Sequence, residues 1–267
     1  MCLISFAIGQ HPEFPFIMVA NRDEFYQRPS LQMHQWDDQP NIIGGRDLKL
    51  SGTWLGFNKE GRFSAVTNYR RPTNNSSQSL LSRGKLVADT LLSASSVSEH
   101  LHTLQDSTDA YGLYNLIAAD HTGIYFQSNT SSTGQPIKTK KLKPGVYGLC
   151  NASLDTPWPK LTAAKYELQQ VIKHADLSLD SLSTLLNQES RVNDEQLPET
   201  GIAIEWERSL SSQFIQLADY GTRAKTIILQ DKKGYTQIRE ISYNAEGEFA
   251  RTDLTMTLNV FASQPCN

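Results

Sequence analysis

Short apolar runs separated by turn residues open the chain. Residues 2–8 (CLISFAI) and 14–20 (FPFIMVA) are rich in β-branched and aromatic side chains, and Gly9 follows the first run. The polar cluster 21–24 (NRDE) follows the second run. Runs of this length and composition, bounded by turn formers, are typical of strands. We therefore predict that the chain begins with two strands and that the polar cluster ends the second one.

A hairpin is predicted further along the chain. Residues 53–57 and 62–69 flank Asn58-Lys59-Glu60-Gly61, a segment with the composition of a turn. Side chains alternate between the two faces of a strand. In the second strand of this hairpin, one face therefore carries Phe63, Ala65, Thr67 and Tyr69, and the other carries Ser64, Val66 and Asn68.

Helices and strands then follow one another to the end of the chain. Leu80, Val87 and Leu91 have helical spacing, and a second short helix is predicted over 97–105. Thr156-Pro157 has the form of an N-cap followed by proline at the first helical position. The helix it begins carries the apolar stripe Leu161, Ala164, Leu168, Val171 and Ile172, and the leucines at 179, 182, 185 and 186 begin another. Further strands are predicted near 114–119, 123–128, 145–150, 225–230, 235–242 and 249–259.

The order of these elements predicts the fold class. Strands and helices occur in groups, which favours an α+β protein in which helices cover antiparallel sheets over a doubly wound parallel sheet. No internal repeat and no linker rich in proline or glycine interrupts the chain. We therefore expect a single domain that spans residues 1–267.

Composition and charge remove several classes of function. The chain is 39% hydrophobic and 20% charged, with a formal net charge of -3 and a pI near 6.1. Such a balance gives no electrostatic reason to bind nucleic acid. No apolar stretch approaches the length of a membrane span, and the first residues lack the basic region of a signal peptide. Three cysteines without a CxxC spacing favour reduced thiols, and we expect a cytoplasmic protein without a metal site.

Cys2 is the candidate nucleophile. Aminopeptidases remove an initiator methionine when the next side chain is small, and the mature chain would then begin with a thiol beside a free α-amino group. An α-amino group has a pKa of about 7.7–8.0, so it can accept the thiol proton near neutral pH. The alternative is that Cys2 only begins a buried strand, since free cysteines usually behave as small hydrophobic residues.

The polar cluster 21–24 is the second candidate feature. If the first two strands form a hairpin, their far ends bring Arg22 and Asp23 close to Cys2. An arginine there would favour the thiolate, and an aspartate could hold or orient the amine. The alternative is a charged turn whose internal ion pairs contribute little energy.

These residues carry a resemblance to a known family. The chain resembles the NRDE family, which is also called the transport and Golgi organization protein 2 family. Its matching blocks occur in order along nearly the whole chain: Met1-Cys2, residues 21–25 (NRDEF), 52–56 (GTWLG), 67–69 (TNY), 114–120 (YNLIAAD), 147–152 (YGLCNA), 154–158 (LDTPW) and 220–223 (YGTR). The resemblance implies the fold of the N-terminal nucleophile hydrolases, a four-layer αββα sandwich of two stacked antiparallel sheets.

The same resemblance implies roles for six residues, through the cysteine acylases of that superfamily. Cys2 resembles the nucleophile, Arg22 the arginine that stabilises the thiolate, and Asp23 the acid that orients the amine. Asn151 and Asn68 resemble the oxyanion donors, and Arg223 resembles a late arginine of the acylase pattern. The acylases separate the arginine from the aspartate, whereas here the two are adjacent. Open alternatives are that the two asparagines only satisfy turns or buried backbone and that Arg223 anchors a loop.

Two functions of different classes follow from the resemblance. The first is haem trafficking, in which haem is a carried ligand. The alternative is hydrolysis of a non-peptide amide or thioester by a cysteine amidohydrolase or acylase that needs no cofactor, or the handling of acyl-CoA or lipid. In either case the partner is a small molecule. Chemically suitable haem ligands are the free cysteines, the tyrosines, Met18, Met33 and His34, although the favoured interpretation of His34 is a surface residue near Trp36.

Overall fold

The structure, a computed structural model, contains two antiparallel sheets and a small number of helices. It describes residues 2–71, 81–174, 176–258 and 261, and of Cys2 it describes the backbone only. The strands are β1 (Cys2–Ile8), β2 (Phe16–Phe25), β3 (Ser30–Gln35), β4 (Ile42–Asp47), β5 (Leu55–Asn58), β6 (Phe63–Asn68), β7 (Tyr114–Asp120), β8 (Gly123–Ser128), β9 (Ile137–Lys141), β10 (Gly145–Leu149), β11 (Tyr220–Gln230), β12 (Tyr235–Asn244) and β13 (Gly247–Thr257). The helices are α1 (Arg83–Leu92), α2 (Val97–Leu104), α3 (Pro159–Val171), α4 (Leu179–Ser183) and α5 (Ile204–Ser209), with 3₁₀ turns at Gln105–Ala110 and Asp194–Gln196.

The two sheets are built in different ways. One has six strands in the order β10-β1-β2-β11-β12-β13, so strands from both ends of the chain meet at its centre. The other has seven strands, β3 to β9, each hydrogen-bonded to the next in sequence. Within both sheets all the neighbouring strands pair antiparallel. The central strands β1 and β2 thus connect the N-terminus to the C-terminal third of the chain.

Alternating side chains on the central strands fill two separate apolar layers. From β1 and β2, one set of side chains packs toward the seven-stranded sheet and the other toward α3. The intersheet set is Ile4, Phe6, Ile8, Phe16, Met18 and Ala20, and the helix-side set is Leu3, Ala7, Ile17 and Val19. Helices α1 and α2 cover the outer face of the seven-stranded sheet. The predicted α+β class, with two stacked antiparallel sheets between helices, is confirmed.

The structure corrects several predicted element boundaries. Strand β2 runs through the polar cluster to Phe25, because β1 pairs with it as far as Arg22 and β11 pairs with it as far as Phe25. Helix α3 begins at Pro159 instead of Pro157. The Thr156 hydroxyl donates to the Ser153 carbonyl at 2.8 Å and does not cap the helix. Strands β3, β4 and β9 were not predicted, and Leu80 and residue 259 lie outside the described residues. None of the helices in the described part of the chain has the length and hydrophobicity to cross a membrane.

Phe63 lies at the centre of the aromatic packing between the sheets. Its ring centroid lies 5.8 Å from that of Phe16 in the other sheet and 5.5 Å from that of Phe57. The Phe261 ring lies 6.1 Å away on a third side. Because Phe63 is completely buried among neighbours from both sheets, little room is left for the site to collapse if the ring is removed.

We predict that Phe63→Ala lowers the free energy of unfolding by about 3–5 kcal/mol, since it leaves a cavity in the intersheet core. The measurement is chemical denaturation of the two proteins at one pH. Phe249→Ala is the matched control, because Phe249 is 54% exposed and loss of its ring should change stability by less than about 0.5 kcal/mol. Equal effects of the two substitutions would show that Phe63 is not a core residue.

A buried carboxyl group joins the two sheets. Glu240 on β12 is 1% exposed, and its Oε1 accepts a hydrogen bond from the backbone N–H of Met33 on β3 at 2.6 Å. Its Oε2 has no hydrogen-bond partner among the described residues. Burial raises the pKa of Glu240 to about 7, although the Met33 hydrogen bond and the charge of Arg22 oppose that change. The ionised form of Glu240 is therefore disfavoured in the folded protein.

We predict that Glu240 makes stability fall as the pH rises from about 4.5 to 7. In that range the unfolded chain has lost this proton while the folded chain keeps it, so the free energy of unfolding decreases by roughly 3 kcal/mol and levels off above pH 7. Glu240→Gln keeps an acceptor for Met33 and should remove this component of the pH dependence. Denaturation is measured between pH 5 and pH 8, with Glu195→Gln at an exposed position as control. A pH dependence of the unfolding free energy in Glu240→Gln that is parallel to that of the wild type would refute the prediction.

Candidate active site

The pairing of β1 with β2 sets the position of the first candidate residue. The Cα of Cys2 lies opposite that of Arg22, and Arg22 in turn lies opposite Ala224 of β11. The start of β1 therefore lies beside the polar part of β2, as the predicted hairpin required. The Cys2 side chain lies outside the described residues. The backbone register alone thus brings Cys2 and Arg22 together.

Arg22 extends into the space between the sheets. It follows Met18 and Ala20 on the intersheet face of β2, and it is only 7% exposed. Its guanidinium carbon lies 4.0 Å from the centroid of the Trp54 ring, just before β5 of the opposite sheet. A cation over an indole face is attracted by the ring quadrupole, more strongly where water is excluded. Arg22 is thus a buried cation at the end of the intersheet core.

Asp23 makes its contacts on the opposite face of the same strand. The Thr222 hydroxyl on β11 donates to Asp23 Oδ1 at 2.8 Å, and the same hydroxyl accepts from the N–H of Ile215. Burial raises the pKa of Asp23, while the charge of Lys160 and the Thr222 hydrogen bond oppose that change. The adjacent Arg22 and Asp23 therefore act from different layers of the fold.

Lys160 is a buried charge near the site that the sequence reasoning missed. It lies in the first turn of α3, and its Nζ donates to the Leu210 carbonyl at 2.7 Å. Burial lowers the pKa of Lys160, and the negative charge that Cys150 and Asp23 can carry opposes that change. A signal was present in the sequence, because Lys160 precedes Ala164 by four residues and shares the apolar face of the helix.

The two candidate asparagines lie against each other at the end of β6. Asn151 Nδ2 donates to the backbone carbonyl of Asn68 at 3.0 Å, and the Arg70 N–H donates to the Asn151 carbonyl at 2.7 Å. The neighbouring Thr67 hydroxyl donates to the Cys150 carbonyl at 2.6 Å. These bonds hold the segment at 150–151 beside the end of β6. At least one amide N–H of Asn151 thus donates to a backbone carbonyl, which is the alternative noted from the sequence.

Arg223 anchors a loop. It occupies a bulge of β11 between Thr222 and Ala224. Its Nη1 donates to the carbonyls of Phe25, Tyr26 and Arg28 at 2.9, 3.1 and 3.2 Å. A cleft lies beside Arg22, and Arg223 is not among its described lining residues. The Arg223 backbone therefore lies between the partners of Asp23 and Arg22, while its guanidinium contacts the chain that leaves β2.

A cleft of about 330 Å³ opens at this end of the molecule. Arg22, Asp23 and Asn68 border it, while the buried Asn151 is not among its described lining residues. Its wall includes the ion pair between Arg28 and Asp47, with Nη2 and Oδ2 2.5 Å apart. Further lining residues are Glu24, Thr53, Trp54, Val66 and Arg83, with Leu50 and Leu81 half exposed at the rim. The volume falls in the lower range of small-molecule sites.

The methionines and the histidine considered as haem ligands lie outside this cleft. Met18 and Met33 are buried in the intersheet core, and His34 Nδ1 lies 2.7 Å from the Gln32 carbonyl. None of the three borders the cleft within the described chain. Cys150 is buried, and burial raises the pKa of its thiol, so it is a structural cysteine. The described residues contain no group of three or more His, Cys, Asp or Glu side chains suited to a metal ion.

Comparison with solved structures finds similarity at low identity. An N-acylethanolamine-hydrolyzing acid amidase ortholog from Caenorhabditis elegans has a TM-score of 0.46 at 10% identity, over 70% of this chain and 86% of that one. The C2A mutant of the conjugated bile acid hydrolase from Clostridium perfringens has a TM-score of 0.46 at 10% identity, over the full length of both chains. Similarity this low transfers neither protein's activity to this chain.

Comparison with known sequences finds closer relatives. The Transport and Golgi organization protein 2 homolog of Bos taurus is 34% identical over 262 residues, which cover 91% of this chain and 93% of the relative. The Transport and Golgi organization protein 2 of Drosophila melanogaster is 26% identical, over 95% of this chain and 97% of the relative. A sequence model of the family Transport and Golgi organisation 2 matches residues 1–245. The chain therefore belongs to the Transport and Golgi organisation 2 family.

Proposed function

We propose that the protein is a hydrolase with an N-terminal cysteine nucleophile, acting on a small amide or thioester. The observation that best supports this is the register of β1 and β2, in which the backbone of Cys2 lies opposite the buried Arg22. Arg22 borders a cleft of small-molecule size. A thiol beside a buried cation has the surroundings that favour the reactive thiolate.

The proposed reaction begins once Met1 is removed. The α-amino group of Cys2 takes the thiol proton, and the thiolate adds to the carbonyl carbon of the substrate. The amine then returns the proton to the leaving amine or thiol as the carbon–heteroatom bond breaks. Water attacks the resulting thioester in the same way and releases the carboxylic acid, which restores the free cysteine. No metal ion takes part in any of these steps.

Arg22 and Asp23 act on Cys2 from two sides in this proposal. The α-amino group belongs to the end of a strand and not to either face of it. A carboxylate on the helix side and a guanidinium on the intersheet side can therefore both act on one residue. Arg22 favours the thiolate by its charge. Asp23, fixed by the Thr222 hydroxyl, orients the amine.

Asn68 and Asn151 are the proposed oxyanion donors. Asn68 borders the cleft, and the Asn151 side chain supports its backbone. In acyl transfer, one donor aimed at the developing oxyanion typically contributes about 2.7–4 kcal/mol. Because Asn151 already donates to the Asn68 carbonyl, its contribution to the site includes holding Asn68 in place. For Arg223, which resembles the late arginine of the acylases, we propose the supporting role of fixing the chain after β2.

Removal of the Cys2 thiol should abolish turnover. The test uses N-acyl-7-amino-4-methylcoumarins and acyl-N-acetylcysteamine thioesters of graded chain length, with protein whose intact mass shows loss of Met1. We expect Cys2→Ala to lower hydrolysis by at least about a thousandfold, since the covalent step is lost. Protein with an uncleaved N-terminal extension should lose about a hundredfold or more, since its amine cannot accept the proton. Cys266→Ala is the control for a nonspecific thiol effect.

Either of two results would contradict the hydrolase proposal. One is hydrolysis by Cys2→Ala at the wild-type rate. The other is the failure of the processed wild-type protein to hydrolyse any compound of the panel. Peptide mass spectrometry after brief exposure to a thioester gives a direct check, because the acyl group should appear on the peptide that begins with Cys2.

We propose haem trafficking in the cytoplasm as a second function, because the family resemblance noted from the sequence implies it. We expect addition of haem to micromolar protein to shift the Soret band. A spectrum equal to that of free haem in buffer would count against haem carriage. The hydrolase test is independent of this result.

A further inference from the structure

The contacts of Trp54 point to a part in the proposed hydrolase reaction that the sequence did not indicate. A tryptophan between two sheets is most simply read as core packing or as the wall of a pocket. Here, however, one face of the indole lies under the Arg22 guanidinium, at 4.0 Å from the ring centroid. Trp54 also borders the cleft. The ring therefore contacts the guanidinium whose charge the proposed mechanism uses.

Gly45 makes room for the ring on the seven-stranded sheet. A Cβ built on Gly45 of β4 would lie 2.2 Å from two carbons of the Trp54 six-membered ring, Cη2 and Cζ2. No side chain larger than hydrogen fits there unless the indole moves. The ring thus lies directly against the backbone of β4.

The backbone on either side of Trp54 is fixed as well. The Trp54 carbonyl accepts from the Val66 N–H at 2.9 Å, and the Thr53 N–H donates to the Gly84 carbonyl at 3.2 Å. The Thr53 hydroxyl donates to the Leu55 carbonyl at 2.9 Å. With its backbone held and Gly45 beneath it, the indole is a rigid surface before any ligand binds.

A rigid surface matters because Arg22 has competing partners. Asp47 on β4 and Glu240 on β12 both interact with the Arg22 charge, and Asp23 is its neighbour in sequence. Each could draw the flexible guanidinium away from the start of β1. The indole face attracts the guanidinium but carries no net charge, so it holds Arg22 in place without neutralising it.

We propose that Trp54 is a positioning residue that holds the Arg22 guanidinium at the start of β1, where it acts on the reacting thiol. This inference rests on the proposed function, since it assigns Trp54 a part in the same reaction. A purely structural Trp54 would affect stability but not the chemistry of Cys2. The two roles are therefore separable by experiment.

The experiment measures the pH dependence of Cys2 alkylation by iodoacetamide, followed by mass spectrometry of the peptide that begins with Cys2. It uses the processed full chain and needs no substrate. We expect Trp54→Leu to shift the alkylation profile toward higher pH and to lower the rate at pH 6.5 by about three- to tenfold. Gly45→Ala should shift the profile in the same direction, because the added methyl displaces the ring. Trp54→Phe keeps an aromatic face and should fall between wild type and Trp54→Leu.

Trp36 supplies a matched control in the same sheet. The guanidinium carbon of Arg46 lies 3.7 Å from the Trp36 ring centroid, and Trp36 is buried. Neither Trp36 nor Arg46 is among the described residues that line the cleft. Trp36→Leu therefore removes a comparable cation–π contact and a comparable volume of core. It should lower the thermal midpoint but leave the Cys2 alkylation profile unchanged.

The Arg22→Gln variant separates failure of this inference from failure of the proposed function. If Arg22→Gln shifts the alkylation profile but folded Trp54→Leu and Trp54→Phe do not, the positioning role of Trp54 is overturned and the role of Arg22 stands. If Arg22→Gln itself leaves the profile unchanged, the proposed action of Arg22 on the thiol is wrong, and the role of Trp54 falls with it. Should Trp54→Leu fail to fold, Trp54→Phe and Gly45→Ala give the decisive comparison.

Discussion

The pairing of β2 on both edges, together with burial of both its faces, is the constraint on which the rest of this structure depends. Because β1 and β11 both hydrogen-bond to it, β2 cannot slip by one residue without breaking two registers at once. Each successive side chain is thereby assigned to one of two layers. Arg22 reaches the intersheet space and Asp23 the helix side only because this register is fixed.

The same constraint places several ionisable groups out of water. Asp23, Lys160 and Glu240 are all buried, and burial acts against the charged form of each. Lys160 and Glu240 make their described hydrogen bonds to backbone groups of other segments, so their polar atoms also fix tertiary packing. Burial of such groups costs stability, and their electrostatic interaction with Arg22 or Asp23 is more typical of a functional site than of a core.

Sequence patterns predicted the central strands, the hairpin at residues 53–69 and the grouping of strands and helices that leads to stacked sheets. They were less successful where polar residues continue a strand. Residues 21–24 were predicted to end the second strand, yet they continue it to Phe25, which depends on pairing with β11 about two hundred residues later. Strands β3, β4 and β9 are mixed in polarity because their faces are unequally buried. Such tertiary pairing is not visible in a local pattern.

The candidate site was predictable in part for the same reason. The pairing of the Cys2 backbone with Arg22 followed from assuming one hairpin, since a hairpin brings its far strand ends together. The stack of Gly45, Trp54 and Arg22 could not be predicted in this way, because it joins two sheets whose relative position no short spacing encodes. Arg223 is the opposite case. Its location beside β2 could not be foreseen, but the loop-anchoring role noted from the sequence describes its contacts.

The way in which Arg223 is bonded has a consequence for how the cleft could diversify. Its guanidinium binds carbonyl oxygens of residues 25, 26 and 28, which every amino acid possesses. The path of this segment is thus held independently of its side chains. Phe25 is half exposed and Arg28 borders the cleft, and either side chain can be exchanged without loss of the tether. Chemical selectivity at this edge can therefore change while the supporting frame stays the same.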